Sequence, residues 1–176
     1  MRNRYKIFDD SHTYFITSTI VDCIPVFTSE KYFKILTDTI KFYQKENDLK
    51  VYAYVIMPNH FHLVMSSAEV SKTIASIKKY SAKRIIDELK ADNNIELLDK
   101  FKELRKDYKT TSKHQVWQEG FHPQLINSEE MFEQKINYIH YNPVKKGLVT
   151  EIEDWKYSSA IDYYTDLKGF LEIKKI

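Results

Sequence analysis

The chain lacks the residues and segments that mark several classes of protein. Its one cysteine, Cys23, excludes an intramolecular disulfide and a cysteine-rich zinc site. No apolar run is as long as a bilayer span, and the basic start at residues 1–5 is not followed by the apolar core of a signal peptide. Internal repeats and low-complexity segments are absent as well. We therefore expect a single domain over residues 1–176, cytoplasmic and without a membrane partner.

The overall charge is nearly balanced, but the basic residues are unevenly distributed. The 27 Lys and Arg residues against 25 Asp and Glu residues give a formal net charge of +2, which is little argument for binding to nucleic acid. One segment nevertheless collects Lys72, Lys78, Lys79, Lys83 and Arg84. Such a stripe suits contacts with phosphate groups, and a solvated helix face explains it equally well.

Hydrophobic periodicity predicts a regular order of strands and helices. We expect a strand over 13–21, a helix from Ser29-Glu30, strands over 50–57 and 60–66, a helix over 71–89 and a strand around 121–126. The order β-α-β-β-α-β is typical of an α+β, ferredoxin-like or RRM-like sheet with helices on one face. Residues 91–113 are rich in charge, and we expect them to be an insertion or a mobile helical excursion.

Two histidines lie one residue apart in the run Met57-Pro58-Asn59-His60-Phe61-His62-Leu63-Val64. The run predicts a hairpin that turns at Pro58-Asn59. Because side chains alternate along a strand, His60 and His62 project from the same face. Two adjacent imidazoles are half of a metal site, and the alternative is two partly buried histidines bonded to backbone carbonyls. The pair alone leaves both interpretations open.

A further helix is predicted to follow the last strand. Asn127 and Glu130 match a capping box, and Pro143 disfavours a helical conformation at Asn142, so we expect the helix to end there. Gly147 is expected at a positive φ in the turn that follows. At about 100° per residue, one face of this helix carries Met131, Lys135, Tyr138 and Asn142, whereas His140 lies about 160° from Tyr138.

Tyr138 stands out among the 13 tyrosines because of its neighbours. Lys135, one turn earlier, can neutralise a phosphate, and Asn142, one turn later, can offer its carbonyl oxygen to a cation. A phenol is a poor nucleophile at neutral pH and becomes effective when a cation polarises the phosphate that it attacks. The alternative is an ordinary packing tyrosine whose hydroxyl binds water.

Four segments of the chain form a recognisable series. They are Met57–Val64, Val116-Trp117-Gln118, Tyr138-Ile139-His140-Tyr141-Asn142-Pro143-Val144-Lys145-Lys146-Gly147-Leu148-Val149 and Trp155-Lys156-Tyr157-Ser158-Ser159. Together they resemble the small single-tyrosine HUH transposases, most closely the REP-associated tyrosine transposase branch. HUH denotes His-hydrophobic-His, here His60-Phe61-His62. The resemblance runs from about Tyr14 to Tyr164, apart from 91–113.

The resemblance implies an enzyme that nicks and joins single-stranded DNA. In such enzymes a tyrosine on a C-terminal catalytic helix becomes linked to the 5′ phosphate and releases a 3′ hydroxyl. Carried over, the nucleophile is Tyr138, and His60, His62 and Asn142 are the ligands of Mg²⁺ or Mn²⁺. The implied partner is single-stranded or hairpin DNA, and the implied location is the nucleoid. The residues expected to contact DNA are Lys135, Lys78, Lys79, Lys83 and Arg84.

Two other functions stay open from the sequence. One is a hairpin-DNA binding protein that keeps the fold without turnover. The other is an unrelated metal-dependent phosphodiesterase, or a structural sheet protein that carries histidines, and it leaves Tyr138 and Trp117 unexplained. A homodimer is a further hypothesis, because an exposed sheet edge could pair across a two-fold axis.

Overall fold

An antiparallel sheet forms the centre of the protein in the computed structural model, which describes residues 12–108 and 112–175. Within these residues the strands are β1 (Thr13–Thr19), β2 (Lys50–Met57), β3 (His60–Ser66) and β4 (Gln124–Ile126). The helices there are α1 (Glu30–Glu46), α2 (Val70–Ala91), α3 (Ile95–Glu103), α4 (Glu129–Lys145) and α5 (Ala160–Tyr164). None of these helices is long and apolar enough to cross a membrane.

The strand order β2-β3-β1-β4 confirms the predicted ferredoxin-like fold. β1 and β2 run parallel to each other, and antiparallel β3 lies between them, which is the split β-α-β arrangement. The expected hairpin is also confirmed, because its two strands begin and end where the sequence pattern placed them.

Each face of the sheet is covered by different helices. Side chains such as Ile16 and Leu63 face α1 and α2, where they form the larger apolar core. Alternate side chains, including Phe15 and Val64, face α4 and pack against its residues Ile136 and Ile139. The side chains of β3 that contact α1 and α2 are therefore separated by the sheet from those that contact α4.

Helix α4 differs from the sequence prediction at both ends. Its N-cap is Ser128 and not Asn127, because the Ser128 hydroxyl accepts a hydrogen bond from the Met131 amide at 3.1 Å. The predicted stop before Pro143 is wrong as well, since the helix continues to Lys145.

The last turn of α4 shows why Pro143 is tolerated. A proline removes one helical hydrogen bond, but Pro143 is buried, and its carbonyl accepts a bond from the Leu148 amide at 3.0 Å. The Gly147 amide bonds to the Val144 carbonyl at 2.9 Å, and Gly147 has the expected positive φ of 67°. These two bonds form a Schellman cap, which places the end of the helix after the proline.

The C-terminal part of the chain covers the β2 edge of the sheet. The Ile56 amide donates to the Tyr157 carbonyl, and the Ser159 amide donates to the Tyr54 carbonyl, both at 2.9 Å. Further along, the Lys174 amide donates to the Val51 carbonyl. A homodimer that paired strands would have to use the opposite edge, at β4, and it stays a prediction.

The expected insertion at 91–113 includes a helix that contributes to the main core. α3 packs on α2, and the Phe101 side chain is fully buried among the residues of the larger core. The Phe101 carbonyl also accepts a hydrogen bond from the Gln115 amide at 2.8 Å. Residues 109–111 of this segment, and residues 1–11 and 176 of the expected single domain, lie outside the described residues.

We predict that Phe101→Ala lowers the free energy of unfolding by about 3–5 kcal/mol, because a buried aromatic ring leaves a cavity when it is removed. Ile95→Ala on the same helix is the matched control, since that side chain is 54% exposed. Chemical denaturation monitored by circular dichroism measures both. A loss for Phe101→Ala as small as that expected for an exposed side chain would show that α3 is not part of the core.

Candidate active site between the sheet and helix α4

The two histidines lie side by side on the sheet face that α4 covers. Their ring centroids are 4.8 Å apart, as strand alternation predicts for positions 60 and 62. His62 is buried and His60 is half-buried. Their β2 and β1 neighbours across the sheet include Val55 and Thr17, which pair with His62.

Hydrogen bonds to Nδ1 hold both imidazole rings. The Thr17 hydroxyl lies 2.8 Å from His62 Nδ1. His60 Nδ1 donates to the Asn59 side-chain carbonyl at 2.6 Å, and the other end of that amide donates to the Cys23 carbonyl. This network leaves His60 Nε2 with its lone pair, while His62 Nε2 is buried without a hydrogen-bond partner. Such outer partners orient histidines that bind metals.

Burial keeps both imidazoles neutral. It lowers the pKa of His60 to about 4, with a smaller contribution from the charge of Lys146. It lowers the pKa of His62 to about 3, and His60 and Lys135 add to this effect. Metals bind neutral imidazole, so the pair is in the form that a divalent cation requires at neutral pH. The described residues hold no group of three or more His, Cys, Asp or Glu suited to a metal.

Tyr138 meets the histidine pair from α4. Its ring lies edge-on to the His62 ring at 5.3 Å and edge-on to the Phe15 ring at 5.7 Å. Phe15 in turn stacks on His62 at 5.2 Å, so the three rings form one cluster. Tyr138 is 42% exposed, which leaves it open to a substrate.

Two lysines place positive charge beside this cluster. Lys135 Nζ lies 4.8 Å from the centre of the Phe15 ring, and burial lowers the pKa of its ammonium group. Lys145 Nζ lies 6.0 Å from the centre of the Tyr138 ring. Both lysines line a cleft of about 630 Å³ along α4, together with Glu130, Glu133, Gln134, Asn137, Tyr138 and Tyr141. The two carboxylates balance the two ammonium groups over the whole cleft, so attraction of an anionic group would depend on the lysines that lie beside the rings of Phe15 and Tyr138.

The remaining candidates on α4 differ in solvent access. Asn142 follows Tyr138 by one turn but is only 6% exposed, and its assignment as a metal ligand stays a prediction. Tyr141 is 47% exposed and lines the same cleft as Tyr138, so it is the main alternative candidate for the nucleophile. Tyr157 is buried on the other sheet face, stacked on Phe33 at 3.6 Å, and this position argues against a role as nucleophile.

The basic stripe of α2 lies on the opposite side of the sheet from Tyr138, because α2 packs on the larger core. The Lys78 ammonium donates to the carbonyls of Gln118 and Gly120, and it thus holds the loop after Trp117. Lys79, Lys83 and Arg84 are exposed. Of the residues expected to contact DNA, Lys135 therefore lies beside Tyr138, whereas Lys79, Lys83 and Arg84 lie on the opposite side of the sheet.

Some residues of the site were not found from the sequence. Phe15 and Thr17 come from β1, about 45 residues before the histidines, and only the β1–β3 register brings them to His62. The predicted ferredoxin-like order implies that β1 pairs with β3, but it does not give the register that places Thr17 opposite His62. The sequence analysis also did not identify Lys145 as a neighbour of the Tyr138 ring.

Comparison with known proteins identifies the family of the chain. Residues 2–142 match the family described as "Transposase IS200 like", so the chain belongs to the IS200-like transposase family. A Haemophilus influenzae protein assigned to the REP-associated tyrosine transposases is 26% identical over 96% of this chain and 89% of its own length. An Escherichia coli K12 REP-associated tyrosine transposase is 20% identical over 72% of this chain and 64% of its own length.

The fold has a counterpart among solved structures. A REP-associated tyrosine transposase bound to a REP hairpin matches 99% of this chain and 93% of its own chain, with a TM-score of 0.67 and 19% identity. At this identity the match supports the fold alone. The resemblance seen in the four sequence segments is confirmed by the family match.

We predict that His60→Gln and His62→Gln each weaken Mn²⁺ binding by more than about 100-fold, since loss of an outer-shell partner alone costs about 10- to 100-fold. Titration calorimetry measures the affinity, and circular dichroism checks the fold. His114→Gln, at a half-exposed position outside the site, is the matched control. Parent-like affinity in both site variants would show that these histidines do not bind the cation.

For the basic helix, we predict that the double variant Lys79→Gln/Lys83→Gln reduces the salt dependence of binding to hairpin DNA. The slope of log affinity against log salt should fall by about 0.9 for each phosphate contact that is lost. The matched control is Lys41→Gln/Lys45→Gln on the exposed side of α1. If the two double variants give the same slope as the parent, α2 is a solvated face.

Proposed function

We propose that the protein is a metal-dependent single-strand DNA endonuclease and strand transferase. Its substrate would be DNA with a hairpin or palindromic repeat, and the reaction would pass through a 5′-phosphotyrosine on Tyr138. The contact between the Tyr138 and His62 rings carries the proposal, because it joins a nucleophile to a candidate metal site. The family membership and the hairpin-bound structural relative support the substrate class.

Different residues would bind the cation, orient the imidazole rings and attract the phosphate. His60 and His62 would hold Mg²⁺ or Mn²⁺ through Nε2, with Asn59 and Thr17 fixing the two rings. A bound cation would polarise the scissile phosphate and offset its charge. The ammonium groups of Lys135 and Lys145 would attract the phosphate oxygens towards Tyr138, since both lie beside its cleft.

The covalent step exchanges one phosphorus–oxygen bond for another. The Tyr138 phenol oxygen attacks the phosphorus, and its proton leaves to solvent. The bond from phosphorus to the 3′ oxygen breaks, and that oxygen takes up a proton to become the free 3′ hydroxyl. Attack by a 3′ hydroxyl on the phosphotyrosine reverses the exchange and joins strands, so no external energy source is needed.

A hairpin-binding protein without turnover is the second candidate. The described residues offer no third His, Cys, Asp or Glu beside the histidine pair, and this favours a protein that binds DNA without metal-dependent turnover. The two candidates agree on DNA binding and differ on the covalent adduct. Adduct formation therefore separates them.

We predict that the parent forms a covalent adduct with a labelled hairpin-bearing single strand in Mn²⁺, and that Tyr138→Phe forms none. The variant loses one oxygen from a ring that keeps its contacts with His62 and Phe15, so folding and DNA affinity should be retained. Denaturing electrophoresis detects the adduct, and peptide mass spectrometry locates it.

Tyr141→Phe is the matched control, because this tyrosine lines the same cleft and is similarly exposed. It should form the adduct as the parent does. An adduct mapped to Tyr141, or one that persists in Tyr138→Phe, overturns the assignment of the nucleophile. Tight binding without an adduct in the parent supports the silent hairpin-binding protein.

A further inference from the structure

We propose that His140 and Ser159 are positioning residues that fix the rotation of α4 and thereby hold Tyr138 against the histidine pair. The inference rests on the proposed function, because it assigns a purpose to the placement of the nucleophile. His140 has no place in the covalent step, and it lies two residues from Tyr138 on the buried side of the helix.

The surroundings of His140 form a closed polar contact inside the protein. The side chain is fully buried, and its Nε2 lies 2.9 Å from the Ser159 hydroxyl oxygen. Its ring packs against the rings of Tyr163 and Tyr164, with centroids 4.9 and 5.4 Å away. α4 is therefore attached to the C-terminal segment by a directional bond as well as by apolar packing.

The hydrogen bonds of Ser159 indicate which imidazole nitrogen carries the proton. The Tyr54 amide donates to the Ser159 hydroxyl oxygen at 2.9 Å, and the Tyr54 carbonyl lies 3.3 Å from the same oxygen. If the Ser159 proton goes to that carbonyl, His140 Nε2–H donates to Ser159, and every hydrogen in the group is bonded. The buried Nδ1 then keeps a lone pair without a partner, which costs less than an unpaired N–H.

These bonds connect the tyrosine helix to the strand that carries the histidines. Tyr54 lies in β2 and pairs with Leu63 of β3, the neighbour of His62. The path from α4 thus runs through His140, Ser159 and the Tyr54 backbone to β3. Apolar contacts at Ile136 and Ile139 give α4 its attraction to the sheet but little directional preference, whereas a hydrogen bond sets an angle.

A small rotation of α4 would matter for catalysis. With side chains about 5–6 Å from the helix axis, a turn of about 10° moves the ring of Tyr138 by about 1 Å. A misplacement of about 1 Å can cost about 100-fold in rate. Tyr138 and His140 lie on nearly opposite sides of α4, so a bond at His140 controls Tyr138 without touching the substrate.

The test compares variants that remove the bond with one that restores it. His140→Leu and Ser159→Ala each remove one partner, whereas the amide N–H of His140→Gln can still reach Ser159. Tyr163→Phe is the matched control, since it removes the bond from Tyr163 to the Tyr52 carbonyl on the same wall and leaves α4 attached. The measurements are the thermal midpoint, hairpin-DNA affinity, the single-turnover rate of adduct formation and the NMR shifts of the Tyr138 ring protons.

We expect His140→Leu and Ser159→Ala to bind DNA within about twofold of the parent and to form the adduct about tenfold or more slowly. His140→Gln should recover most of the rate. The Tyr138 ring shifts, set by the neighbouring His62 and Phe15 rings, should move in the two slow variants and not in Tyr163→Phe.

Parent-like rates and ring shifts in Ser159→Ala overturn the proposal, even if His140→Leu does not fold. The proposal is also overturned if the loss of rate simply follows the loss of thermal stability, so that Tyr163→Phe is slowed as much as Ser159→Ala. The ring shifts need no turnover, so they separate this inference from the proposed function. If the parent forms no adduct but the shifts move, the positioning role stands and the proposed function fails.

Discussion

The site depends on the pairing of β3 with its two neighbours. β3 is hydrogen-bonded on both sides, to β1 and to β2, so its register is set twice. A slip of one residue would turn both imidazoles from the α4 face into the larger core beneath α1 and α2. The same pairing brings Thr17 to His62 and places Phe15 under the Tyr138 ring.

Burial at this face has a chemical consequence. It lowers the pKa values of His60 and His62 to about 4 and 3, so the imidazoles stay neutral among nearby lysines. It also leaves His62 Nε2 without a hydrogen-bond partner, and an unsatisfied buried polar atom costs about 1–3 kcal/mol. His140 Nδ1 is also buried without a partner, but at His62 a second imidazole lies beside the lone pair, and a metal ion is a partner that fits two neutral imidazoles.

The sequence predicted the structure correctly wherever a local pattern along the chain determines it. Strand alternation and the Pro58-Asn59 turn predicted the hairpin bounds and the shared face of His60 and His62. Helical spacing separated Tyr138 from His140, and the structure shows one exposed and the other buried. These features need only the neighbours of each residue along the chain.

Tertiary contacts determined what the sequence did not predict. The N-cap of α4 is Ser128 where the sequence predicted Asn127. The helix continues past Pro143, because burial of the proline ring and a Schellman cap offset the helical hydrogen bond that proline removes. The place of Phe101 in the core, the partner of His140 and the separation of α2 from Tyr138 all depend on packing between distant segments. Amphipathic spacing cannot give these contacts, because it identifies a buried face without naming what covers it.

The most direct test is a crystal structure of the Tyr138→Phe protein with Mn²⁺ and an uncleaved hairpin-bearing single strand. Anomalous scattering locates the Mn²⁺ ion. The ion should lie at Nε2 of His60 and His62, with the scissile phosphate between it and the ring at position 138. A metal bound elsewhere, or a single strand that lies across α2 with its phosphates away from α4, would contradict an active site at the histidine pair.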